Sequence, residues 1–192
     1  MKKLCPSLLM FVLLLTTAKP QTLSETLKQL KDKLAELQGK LSGKELTFTS
    51  VEEFMKANEN SGLADCPSLN LNLKSDEIGE EGAQSIAGAL ETLKNLTSMN
   101  LYLRRNNIGN EGAKSIAKAL EKFKNLTSLD LNLGSNKIGE EGVKSIANTL
   151  KEFENLPYLN FDLEWNEIGE EGVGAQALQK LQDNHKFWKI LW

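Results

Sequence analysis

Leu129-Asp130-Leu131-Asn132-Leu133-Gly134-Ser135-Asn136-Lys137-Ile138-Gly139-Glu140-Glu141-Gly142-Val143 decides the fold. Its first five residues alternate apolar and polar, as a strand with one buried face does. From Val143 the apolar residues continue at Ile146, Ala147 and Leu150, spaced as on one face of a helix. Asn136 to Gly139 lie between and read as a turn. Glu140 and Glu141 stand near the expected helix start, where the helix dipole favours negative charge. Gly142 has no side chain, so it can let the helix approach the sheet closely.

The same stretch recurs every 30 residues. Ile78-Gly79, Ile108-Gly109, Ile138-Gly139 and Ile168-Gly169 keep that period, as do Gly82, Gly112, Gly142 and Gly172. Four units follow, at 67–96, 97–126, 127–156 and 157–186. One unit cannot cover its own apolar face, so neighbours must stack. Strand, turn and helix in each unit predict an α/β solenoid: a short curved parallel sheet with helices on the convex face.

Leu126, Leu129, Leu131, Asn136, Ile138, Gly139 and Gly142, with their copies one period away, resemble the leucine-rich repeat, specifically its ribonuclease-inhibitor-like subtype. The resemblance covers residues 67 to roughly 180. It implies that Asn106, Asn136 and Asn166 form a structural asparagine ladder, each side chain bonding neighbouring backbone. Asp76 departs from that pattern in the first unit. Leu73, Leu103, Leu133 and Leu163 add one apolar step to the family's usual strand motif, which implies a longer strand or a bulge.

The flanks read differently. Residues 1–18 carry Lys2 and Lys3, an apolar run from Leu8 to Leu15, and small residues ending at Ala18. That is the layout of a secretory signal peptide, and the run is too short to span a bilayer. A secreted or lumenal location follows as an expectation. Residues 19–66 form a helical segment or cap. Leu23, Leu27, Leu30, Leu34, Leu37 and Leu41 make one apolar stripe, for docking on the chain's own domain or for a homodimer. Ser50 and Glu53 form a capping-box pattern that opens a short helix. Cys66 is left unpaired by cleavage and is expected to be buried. The last unit loses register after Val173, and residues 187–192, Phe-Trp-Lys-Ile-Leu-Trp, read as an aromatic cap or a partner grip.

Composition narrows the chemistry. The chain has 192 residues, two cysteines and one histidine, so neither a disulfide scaffold nor a multi-histidine metal site is expected. A net charge of −3 and 6% aromatics argue against nucleic-acid binding. No nucleophile stands in a recognisable catalytic motif beside His185. The Ile-Gly-x-Glu-Gly segments lack the lysine and hydroxyl of a phosphate loop. Asp76, Glu77 and Glu80 fit no EF-hand spacing. Catalysis, cofactor, metal and membrane span are therefore all expected to be absent.

A binding surface remains. Between the buried leucines, successive units carry Asn70, Asn100, Asp130 and Asn160, then Asn72, Tyr102, Asn132 and Asp162. Lys74, Arg104, Gly134 and Glu164 follow, then Ser75, Arg105, Ser135 and Trp165. Arg104 and Arg105 are the chain's only arginines. Tyr102, Arg104, Arg105, Asp130, Asp162 and Trp165 are the candidate partner-binding residues, and Tyr102, Arg104, Arg105 and Trp165 among them are of types common at interface hot spots. Four strands present only about 300 Å² of inner sheet, below the roughly 800 Å² that a standard interface covers on each partner. A partner must also use the turn edge, the leucine helix, or a second copy of this chain. The reading is a protein-interaction module, with an intracellular regulator of a small GTPase as the alternative. Asn95-Leu96-Thr97 and Asn125-Leu126-Thr127 are glycosylation candidates.

Overall fold

The computed structural model describes residues 45 to 192, apart from 60–62, 64, 76, 154–155 and 186. The leader at 1–18, the stripe from Leu23 to Leu41 with its homodimer, and Asp76 lie outside the described residues.

Strands β1 (Glu45–Phe48), β2 (Ser68–Asn72), β3 (Ser98–Tyr102), β4 (Ser128–Asn132), β5 (Tyr158–Asp162) and β6 (Lys189–Leu191) form one parallel sheet in chain order. Between them run α1 (Val51–Glu59), α2 (Gly79–Leu90), α3 (Gly109–Leu120), α4 (Glu140–Lys151) and α5 (Val173–Asn184). Helices α2 to α5 pack each on the next, and the sheet lines the other side. This is the expected α/β solenoid.

Register explains the core. Leu69, Met99, Leu129 and Leu159 align in one buried row, and Leu71, Leu101, Leu131, Phe161 and Ile190 in the next. Ile86, Ile116 and Ile146 meet them from the helices, all fully buried. The extra apolar step lengthens the pairing. Leu73 N donates to Tyr102 O at 2.9 Å and Ser75 N to Arg104 O at 3.0 Å, continuing the ladder beyond the strand without a bulge. Leu73, Leu103, Leu133 and Leu163 thereby form a third row, each 0% exposed.

The sheet is wider than the four repeating units. β1 adds one edge and β6 the other, so the inner face is about 24 Å across, and about 23 Å long at its four middle strands. Neither edge strand carries the repeat signature. β1 is followed by α1, where Ser50 Oγ accepts from Glu53 N at 3.2 Å and Phe54 is fully buried against Phe48. In the tail, Trp188 is 4% exposed and donates from Nε1 to Leu156 O at 2.7 Å. His185 stacks on the Trp188 ring at 3.7 Å, whereas Phe187 is 91% exposed. Cys66 is buried and its thiol donates to Ser68 O at 2.9 Å.

The asparagines join consecutive turns. Asn136 donates to Leu103 O, Leu133 O and Gly134 O at 2.8, 3.0 and 3.2 Å, and its Oδ1 accepts from Asn106 N at 2.8 Å. Asn106 donates to Leu73 O at 2.6 Å, and Asn166 accepts from Asn136 N at 3.0 Å. Asn106 and Asn136 are 0% exposed.

A second ladder runs along the helix starts. Asn110 Oδ1 accepts from Gly139 N at 2.9 Å and Gly142 N at 3.0 Å in the following unit. One unit on, Glu140 accepts from Gly169 N at 2.7 Å and Gly174 N at 2.5 Å. Glu140 thus serves the next helix as well as standing at the start of its own. The repeated glycine leaves room for this visitor: a Cβ at Gly142 would lie 2.7 Å from Asn110 Oδ1, and one at Gly172 would collide with the Glu140 carboxylate. Glu140→Ala is expected to lower stability by about 1–2 kcal/mol, the cost of a lost cap. Urea unfolding checks it, and a change under about 0.3 kcal/mol counts against this role.

Candidate functional site

The rows between the leucines emerge on the inner face. Thr47, Asn70, Asn100, Asp130, Asn160 and Lys189 align across all six strands. Asn72, Tyr102, Asn132, Asp162 and Leu191 form the next row. Thr47, Lys189 and Leu191 belong to this face only because of the two edge strands. The alternation in Leu46-Thr47-Phe48 was the one available sign of the first of them.

Two hydrogen-bonded groups cross the strands. Tyr102 Oη donates to Asp130 Oδ2 at 3.1 Å, and Asn160 Nδ2 donates to Asp130 Oδ1 at 3.0 Å. Lys74 Nζ lies 5.0 Å from the Tyr102 ring centroid, within cation–π range. In the second group Asn132 Nδ2 donates to Asp162 Oδ2 at 2.8 Å. Glu164 N donates to Asp162 Oδ1 at 3.0 Å. Arg104 extends beside Gly134, and its Nη1 lies 3.6 Å from Asp162 Oδ2. Side-chain exposures of 28% for Arg104 and 12% for Asp162 keep this pair partly shielded. Tyr102, Asp130, Arg104 and Asp162 are therefore largely occupied with one another.

Burial first, and then the Asp130 carboxylate, raise the Tyr102 pKa above its ordinary 10.0. The native state holds this phenol's proton more tightly than the unfolded chain does. Its contribution is complete below pH 10 and disappears as pH climbs through the raised value. Tyr102→Phe should flatten that part of the alkaline stability decline, seen by urea midpoints measured across the range. An unchanged profile would discount the Tyr102–Asp130 contact.

Beyond the strands the backbone turns into the left-handed region. Ser75, Arg105, Ser135 and Trp165 have φ of 62, 62, 57 and 62°. Left-handed backbone is costly for ordinary residues, and no glycine marks this column in the sequence. The turn directs Arg105 and Trp165 outward, on either side of Ser135. With Arg104 they line an open hollow of about 390 Å³. Their strands are two spacings apart, about 9.6 Å, enough for an extended chain or a planar group between them. Trp165 is 78% exposed and covers no core. Of the six candidate residues, Arg105 and Trp165 face outward and four build the polar floor.

Asn95 and Asn125 stand exposed in the loops from α2 to β3 and from α3 to β4, at the opposite ends of the strands. Among the described residues, no cluster of three or more His, Cys, Asp or Glu could hold a metal ion. Among them too, no helix is long and apolar enough to cross a membrane.

Comparison with known proteins agrees with this architecture. Residues 95–117 and 124–147 match the family model described as Leucine Rich repeat. No curated protein matches the chain. Among solved structures, Leiomodin-1 Actin-Binding Site 2 is similar, with a TM-score of 0.55 and 22% identity over 75% of this chain and 79% of that one. At that identity the likeness is one of fold. The two matched segments are leucine-rich repeats, and the described residues have the fold of a leucine-rich-repeat solenoid.

Proposed function

We propose that this chain is a non-catalytic protein-interaction module of the ribonuclease-inhibitor-like subtype, working outside the cell or in the secretory lumen. Its partner docks on the inner face and its turn edge, with Arg105 and Trp165 as anchors and Tyr102, Arg104, Asp130 and Asp162 as the floor. The observation that carries this reading is the exposed Trp165 beside Arg105, held outward by a backbone turn and serving no core. Large aromatics and arginines dominate interface energetics. The six-stranded face, with its two shorter edge strands, offers about 450 Å², closer to what one partner contributes, and the turn edge supplies more. The 30-residue period with a twelve-residue helix in each of the four units supports the subtype.

A photo-crosslinker at position 165 tests the surface. A partner captured there, and lost from Arg105→Ala, supports it. A partner captured equally well by an Arg105→Ala/Trp165→Ala variant moves the interface elsewhere. Actin, for which the similar Leiomodin-1 site is named, is a direct first protein to offer in a binding assay. Intact mass of native protein tests the location: a secreted species starting near Lys19 supports it, and a full-length cytosolic species overturns it. The exposed Arg105 also supports the alternative, an intracellular small-GTPase regulator. Stimulated GTP hydrolysis that disappears in Arg104→Ala or Arg105→Ala would establish that instead.

A further inference from the structure

We infer that Asn95 and Asn125 are acceptors for N-linked glycans, which wall off the strand-start edge and leave the Arg105–Trp165 edge open. The inference rests on the lumenal reading above. The reaction needs an asparagine amide with a threonine or serine hydroxyl two residues on, at a place where a bulky polar chain meets solvent. Both sites meet these requirements. Asn95 and Asn125 are exposed, and Thr97 and Thr127 follow at the required spacing.

The fold fixes the direction of both amides. Leu96 and Leu126, next to each acceptor, are 1% exposed and pin the loop to the core. The asparagine one step earlier is left at the surface. Thr97 Oγ1 donates to Pro67 O and Thr127 Oγ1 to Thr97 O, each at 3.1 Å. These bonds give the threonines a packing role of their own. Asn95 Nδ2 donates to the exposed Asp65 Oδ1 at 2.9 Å, a contact at the surface. The repeat does not dictate the full motif. Its first copy reads Asp65-Cys66-Pro67, and its last Asn155-Leu156-Pro157, which has no hydroxyl. The acceptor motif therefore stands at two of four equivalent positions, in adjacent turns on one edge.

The surroundings suit sugar. An open hollow of about 590 Å³ is lined by Lys124, next to Asn125 in the chain, with Glu121, Lys122, Ser145, Asn148, Thr149 and Glu152. Its polar wall can hydrogen-bond the hydroxyls of the first sugars. Seven residues of extended chain, about 23 Å, separate Ser98 from Arg105. Glycans at the strand starts thus clear the hollow at the strand ends.

The donor class is a polyprenyl-diphosphate oligosaccharide. The amide Nδ2 forms a bond to the anomeric carbon. The bond from that carbon to the diphosphate oxygen breaks, and the lipid diphosphate leaves with the electron pair. The amide gives up one proton. Because both threonine hydroxyls are engaged in the folded loops, transfer precedes local folding.

The test places the full chain behind a leader of established function in a eukaryotic secretory host, so that delivery to the lumen is not in question. The expected product loses mass on treatment with an amide-cleaving glycosidase and then carries aspartate at 95 and 125. Asn95→Gln and Asn125→Gln should each remove one glycan, as should Thr97→Ala and Thr127→Ala. A secreted product with the bare polypeptide mass overturns the inference, and a glycan at one position overturns it for the other. A parallel culture uses only the chain's own first residues. Retention in the cytosol there, with glycans in the first culture, sinks the lumenal reading while the acceptor assignment stands.

Discussion

Asn136→Ala is expected to cost about 3–5 kcal/mol of folding stability, among the largest losses from a single polar residue in this chain. The side chain is 0% exposed and sits between the second and third repeating units. Its Oδ1 receives Asn106 N at 2.8 Å and Ile108 N at 3.4 Å. Alanine leaves these amides facing an apolar hole, and a buried donor without an acceptor costs about 1–3 kcal/mol. The carbonyls fare better. Leu103 O keeps Asn106 Nδ2, and Leu133 O keeps Asn166 Nδ2. Their lost bonds add about 0.5–1.5 kcal/mol each, and the vacated volume adds more. Asn166→Ala, at a half-buried rung, should cost roughly half as much. Urea unfolding of the two variants decides. A loss below about 1 kcal/mol at Asn136, or equal losses at both rungs, would remove the ladder from the account of stability. Because adjacent units support each other, hydrogen exchange should show protection falling in both neighbouring units.

What was legible in the sequence was whatever the period dictates. Leu129, Leu131 and Leu133 announce a strand face, Val143, Ile146 and Leu150 a helix face, and Asn136 a rung, because each position recurs in at least three of the four units. Interactions that appear once carry no such signal. β6 forms because Ile190 completes the row ending in Phe161, yet Lys189-Ile190-Leu191 alone has no strand signature. Glu140 reads as a residue serving its own helix. Only the offset between turns shows its oxygens meeting Gly169 and Gly174. From sequence alone Gly142 suggests room for the sheet, and in the structure that room is shared by Asn110 and the Ile138 side chain.

The candidate site divides in the same way. Column positions followed from counting, so Tyr102, Asp130 and Asp162 could be set on the inner face from sequence. Pairing could not. Arg104 and Arg105 are adjacent in sequence, but one lies toward Asp162 and the other turns away at φ 62°. No propensity rule marks arginine or tryptophan as left-handed. The distinction between floor and anchor is tertiary information.

Trp165→Gly separates the two uses of that turn. The left-handed backbone at this position is shared with Ser75, Arg105 and Ser135, so the fold requires the turn and not the indole. A non-glycine residue there bears about 1–2 kcal/mol of strain, whereas glycine adopts the turn freely but gives up more entropy on folding. The two effects oppose, and the indole is 78% exposed. Stability should therefore stay level or rise by up to about 1 kcal/mol. Binding should move the other way. An anchoring tryptophan contributes about 2 kcal/mol or more, which is near thirtyfold in Kd. Combined with Arg105→Ala, the loss should exceed about a hundredfold for the partner captured at this surface. The readouts are titration calorimetry for affinity and urea unfolding for stability. A variant that unfolds more easily by about 2 kcal/mol would make Trp165 a packing residue. One that binds as tightly as the parent would remove it from the interface. Stability kept while affinity falls is the pattern of a side chain held out for a partner.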